Sequence, residues 1–149
     1  MSEIREYRGK RLDNGEFKFG MPIKSNTGKT YIITYLDDAN GTPERVLWVE
    51  VDPSTVGQYT GRFAADNFTK LFEGDIVAHS YIGSKAIIRF GEYCDDADGQ
   101  EKTHIGYYLE YLDKDCTYYK GLNKWASYPS IVYRLGNIYD NPELLEVEE

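Results

Sequence analysis

The sequence predicts a mostly-β fold of short antiparallel strands, and three observations carry that expectation. Fourteen tyrosines stand among 149 residues. Tyr joins a large apolar ring to a polar tip, which suits strands with one face in a core and one edge wet. Asn-Gly pairs fall between runs of β-branched and aromatic residues, the local pattern of hairpins. No stretch repeats apolar residues at the spacing of a long amphipathic helix, and no internal repeat is present.

Taken in order, Asn14-Gly15 tolerates positive φ at both central turn positions, so residues 7–12 and 16–22 are expected to pair. Residues 30–36 are rich in β-branched and aromatic side chains, a strand. The turn cluster 37–43 contains Asn40-Gly41. Residues 45–51 carry Leu47, Val49 and Val51 on one face and Val46 and Trp48 on the other, which predicts a central strand covered on both sides. Asp52-Pro53-Ser54 suits a short helical entry, with Asp as cap and Pro in the first turn. Gly57 and Gly61 are read as bracketing a loop, and residues 62–70 fit either a short helix or an irregular connection. Gly74-Asp75 leading into Ile76-Val77 is a common entry into the first strand of a small SH3-like barrel. Residues 86–90, 105–112 and 131–135 are further strands, with Gly83-Ser84 as a turn and residues 92–100 as an acidic loop. Asn141 is expected to cap a short turn at Pro142.

Composition narrows the functional classes. Formal charge is −8, a field that opposes nucleic-acid phosphates and anionic membranes. It is unevenly spread: residues 1–35 hold seven Lys/Arg against four Asp/Glu, and the remainder ten against twenty-one. No apolar run approaches the roughly 20 residues of a membrane span. The charged, polar start carries no secretory pattern, so a reducing cytoplasm is expected, with Cys94 and Cys116 as thiols.

Five segments, in order, resemble the YopX proteins of phages and prophages. They are Arg8-Gly9-Lys10-Arg11; Asp13-Asn14-Gly15-Glu16-Phe17; Val56-Gly57-Gln58-Tyr59-Thr60-Gly61; Phe72-Glu73-Gly74-Asp75-Ile76-Val77; and the run from Gly136-Asn137-Ile138-Tyr139 to Leu145. The resemblance implies a mostly-β protein containing an SH3-like barrel, encoded by a phage or prophage and working in the bacterial cytoplasm. It implies no activity. The chain 1–149 is expected to form one such unit, divisible into an N-terminal hairpin and sheet at 1–61 and an SH3-like region with its tail at 62–149. Residues 62–70 lack the family's turn glycine and add Phe63 and Phe68, so this connection is expected to be more buried than usual.

Candidate chemistry is sparse. Gly28-Lys29-Thr30 imitates the end of a phosphate loop, but that motif needs a glycine at position 23, which is Ile23. Residues 95–101 supply carboxylates on a glycine-containing loop, as a hard cation requires, yet lack the flanking helices of an EF-hand. Cys94, Cys116, His79 and His104 show none of the close pairs of a zinc site, and a catalytic Cys94–His104 pair is open only because such partners meet in space. No cofactor and no metal is therefore expected. Three readings follow. The first is a non-enzymatic interaction module for a host or phage protein. Its candidate surface is Arg8, Lys10, Arg11, Gln58, Tyr59, Thr60, Glu73 and Asp75, and self-association is open through the basic start and acidic end. The second is a nucleic-acid-binding barrel using the Arg5, Arg8, Lys10 and Arg11 cluster around Tyr7, disfavoured by the overall charge. The third is an uncharacterised enzyme.

Overall fold

The structure, a computed structural model, describes residues 6–66, 68–79, 84–95, 102–113, 120–122 and 132–146. The chain divides into two compact units, Met1–Tyr59 and Thr60–Glu149. The fold is mostly β, with two antiparallel sheets and short 3-10 turns.

In the first unit, β1 (Tyr7–Lys10) and β2 (Phe17–Lys24) form the hairpin that Asn14-Gly15 announces, with Tyr7 opposite Gly20 and Lys10 opposite Phe17. Gly15 adopts φ 72°, and Asn14 Oδ1 accepts from Glu16 N at 2.9 Å. β3 (Thr30–Asp37) pairs with β2 through a turn in which Gly28 takes φ 89° and Lys29 N donates to Ser25 Oγ, so Gly28-Lys29-Thr30 is turn and strand entry. β4 (Pro43–Val51) follows a turn organised by Asp38, whose Oδ1 accepts from Asn40 N and Thr42 N at 2.8 and 3.0 Å.

β4 corrects an expectation. It is not central: it ends the order β4-β3-β2-β1-β5-β6, with Val46 and Trp48 46% and 57% exposed. Only the Leu47, Val49 and Val51 face turns inward, where Val51 and Ile32 are fully buried. The last residues of β4 bend back to the end of β1: Arg11 bridges Val51, and Asp52 N donates to Lys10 O at 2.9 Å. Asp52 then caps the 3-10 turn Pro53–Thr55 by accepting from Ser54 N. The segment expected as a loop between Gly57 and Gly61 is instead β5 (Gly57–Phe63). Gln58 and Gly57 pair with Tyr7 and Arg8, and Tyr59 N donates to Glu6 O, so long-range ladder bonds override the local glycine signal.

β5 runs on from the first unit into the second, where β6 (Lys70–Phe72) is next to it in the strand order. The connection 64–69 is a turn held by Asp66, whose carboxylate accepts from Phe68 N, Thr69 N and Thr69 Oγ1. Within the single chain its two rings are exposed, Phe68 at 84% and Phe63 about half. The side-chain bonds close this turn without a glycine, and the two rings are left outside.

β7 (Asp75–His79), β8 (Lys85–Asp95), β9 (Lys102–Tyr111) and β10 (Val132–Asn137) form a four-stranded sheet in the order β10-β7-β8-β9. One face packs a core of Leu71, Val77, Ile88, Leu109 and Val132. Among the described residues the sheet is open and no closed barrel forms. The turn at Gly83-Ser84 and residues 147–149 lie wholly or partly outside the described residues, as does the part 96–100 of the acidic loop expected over residues 92–100; residues 92–95 are not loop but the end of β8, held by ladder pairing with residues 102–105 of β9.

Candidate interaction surface

Of the eight residues singled out from the sequence, Arg8, Tyr59, Thr60 and Asp75 are buried. Arg8 and Lys10, two apart on β1, project to the same side, over Phe17. The Arg8 guanidinium carbon lies 4.5 Å and the Lys10 ammonium 5.8 Å from that ring's centroid, both within cation–π range. Arg8 is buried. Arg11 engages Asp13 through two hydrogen bonds, Nε to Oδ1 at 2.8 Å and an NH2 to Oδ2 at 2.6 Å. These bonds raise the Arg11 pKa and hold the Asp13 carboxyl below its usual range. Each of these three cations thus already has an intramolecular partner, which weakens the phosphate-binding reading.

Gln58 sits in the β1–β5 ladder, and Tyr59 and Thr60 are buried. Glu73 is half-buried and Asp75 fully buried. Asp75 Oδ2 accepts from Phe72 N at 2.7 Å, and Oδ1 lies 3.2 Å from Arg134 Nε. Around it, two of the sequence's marked segments meet. Gly74 N donates to Ile88 O, and Ile138 N donates to Gly74 O at 3.0 Å. Asn137 Oδ1 accepts from Tyr139 N and Asp140 N, at 3.0 and 2.9 Å. Asn141 takes the N-cap position of the Pro142–Leu145 turn as expected, with its carbonyl accepting from Leu144 N, but its side chain makes no cap bond there. Its Oδ1 accepts from Asn137 N instead, because the tight 137–141 turn brings that amide within reach. This assembly positions β7 against β10 and exposes no chemistry.

The surface that sequence reasoning missed is the outer face of β2, β3 and β4. Strict alternation puts Ile32 and Val51 inward, so their neighbours along each strand, Tyr31, Ile33 and Glu50, face outward. Met21 pairs with Ile33 and Ile33 with Trp48, an apolar row across three strands. Ile23 pairs with Tyr31 on one side of that row, and Tyr35 with Val46 on the other. Tyr31 meets Trp48 edge-on, with centroids 6.4 Å apart. Phe19, Met21, Ile23, Tyr35, Val46 and Trp48 are each 42–57% exposed. The available signal is the second apolar set on β4, Val46 and Trp48; nothing local says which apolar face is covered.

The second unit offers little that converges. Cys94 pairs with Thr103 and His104 with Tyr93, so Cys94 and His104 project from opposite faces of the β8–β9 ladder and do not form a dyad. Tyr93 stacks on His104 and on Tyr108, beside the Gly91–Gly106 pair where neither strand supplies a side chain. A cavity of about 350 Å³ is lined by Ala64, Ala65, Asp66, Thr69, Tyr133 and Arg134. Its charged side chains are committed, Asp66 to its own turn and Arg134 to Asp75. Among the described residues no three His, Cys, Asp or Glu group as metal ligands. The acidic loop, Cys116 and the His79 side chain lie outside that description. No described helix is long and apolar enough to cross a membrane.

Comparison with curated proteins finds no match. The family model described as YopX protein matches residues 6–146. That span takes in all five marked segments and nearly the whole chain, and the chain belongs to the YopX protein family.

Proposed function

We propose that this protein is a non-enzymatic protein-interaction module, working in a bacterial cytoplasm on behalf of a phage or prophage, and that it binds through the outer face of β2, β3 and β4. One observation carries the reading: the Met21–Ile33–Trp48 row and its neighbours form a contiguous apolar face left in solvent. Six large side chains, each about half exposed and of roughly 200 Å² when aromatic, make a patch of about 600 Å², at the upper end of what monomers tolerate. Trp, Tyr and Met are the side chains that interfaces favour, because they bring large contact area with few rotatable bonds or adaptable shape. The β10-β7-β8-β9 sheet is the part we assign to the SH3-like architecture that the resemblance implies. In this reading it is a scaffold.

The test is a nuclease-treated pulldown from bacterial lysate with the wild type and with Trp48→Glu. A stoichiometric protein retained by the wild type and lost from the variant supports the proposal. Recovery of nucleic acid, with all proteins released by nuclease, overturns it.

A further inference from the structure

The apolar outer face also points to its own occupant, and this step rests on the reading above that the face is a binding surface. We infer that a second copy of the same chain covers it, sheet against sheet, in a two-fold dimer.

Area is the first argument. A patch of about 600 Å² on each copy gives about 1,200 Å² in total, the lower bound of a specific protein–protein interface. A face-to-face β packing with sheets about 10 Å apart interdigitates such side chains without a groove or protruding knob. The face is broad and uncharged at its centre, and an isologous contact requires that kind of self-complementary surface.

Charge is the second. The first unit holds eight Lys/Arg and nine Asp/Glu, a net of −1; the second holds nine and sixteen, a net of −7. The apolar face therefore sits on the nearly neutral unit, where a second copy meets little repulsion. A strongly basic partner would find its complement on the other unit instead.

Sedimentation velocity of the full chain from about 1 to 200 µM tests this. The expected result is a shift from 17.2 kDa to twice that mass as concentration rises. Trp48→Glu, placing a charge at the centre, is expected to raise the dissociation constant at least about 30-fold, the effect of losing one hot-spot side chain. Val46→Lys provides a second reading if the first variant fails to fold, and Phe90→Glu, in the other unit, should leave the dimer intact. A wild type that stays at 17.2 kDa throughout, or a dimer that survives both folded face variants, overturns the inference. A monomeric wild type that still captures a lysate protein in a Trp48-dependent way would overturn the second copy while leaving the interaction-module reading in place.

Discussion

Asp75 illustrates how a residue that reads as polar surface chemistry becomes internal. Its carboxylate has no solvent exposure, and it ties the amide of Phe72 to the guanidinium of Arg134. Replacing it by Ala strands a buried amide and removes an ion-pair partner, so Asp75→Ala is expected to cost about 3 kcal/mol in urea unfolding. Asp75→Asn, which keeps an acceptor for Phe72, should cost less. Gly74 sits beside it at φ 92°, with Tyr139 only 3.0 Å from where a Cβ would stand. Gly74→Ala should therefore destabilise by more than the roughly 1 kcal/mol of a left-handed residue alone, by the same measurement. Asp66 gives a pH signature. The Thr69 hydroxyl, then the Thr69 and Phe68 amides, hold its pKa below the ordinary 3.8. Because the folded value is the lower one, its contribution to stability is present above about pH 4 and is lost as pH falls through the folded pKa. Carbon-detected NMR titration should place its midpoint below 3.8, and Thr69→Val should move it upward.

At the scale of the element, β3 and β4 show two faces with different roles. Ile32 is fully buried on the inner face, whereas Trp48, one register step away, is 57% exposed. Ile32→Ala leaves a cavity and is expected to cost about 3 kcal/mol. Trp48→Ala loses mainly its edge contact with Tyr31 and should cost below about 1 kcal/mol, since most of the ring is already in water. Chemical denaturation of the two variants separates the roles: similar losses would mean that the outer face is part of the core. The β8–β9 hairpin follows another logic. Gly91 faces Gly106, and Tyr93 leans across the gap to Tyr108, so aromatic stacking replaces the missing side-chain contacts.

For the molecule as a whole, the acidic surplus and the apolar β2–β3–β4 face belong to different units. The acidic surplus belongs to Thr60–Glu149, while the open apolar face belongs to the nearly neutral first unit. The basic start of the chain does not offset this for a nucleic acid, because Arg8 is buried and Arg11 is bonded to Asp13. Mixed-sequence DNA should therefore show no retarded band in a gel-shift assay at about 0.15 M salt, where phosphate contacts are already weakened by counterion competition. A retarded complex there would restore the nucleic-acid reading.

By itself the sequence determined what local physics controls. Asn14-Gly15 made its hairpin, Asp52-Pro53 its capped turn, and the alternating β-branched and aromatic runs their strands. The five marked segments were enough to reach the family, because their order along the chain needs no structure to read. Tertiary structure decided what depends on partners distant in the chain. Gly57 and Gly61 signalled a loop, and pairing of Gly57 and Gln58 with β1 made a strand. Asn141 stands at its cap position, but the amide of Asn137 takes its side-chain oxygen. Val46 and Trp48 looked as much like core as Leu47 and Val49, since alternation fixes which residues share a face but not which face is covered. Coverage is a property of how much apolar surface the other elements can reach, and here it left the outer face of β2, β3 and β4 open.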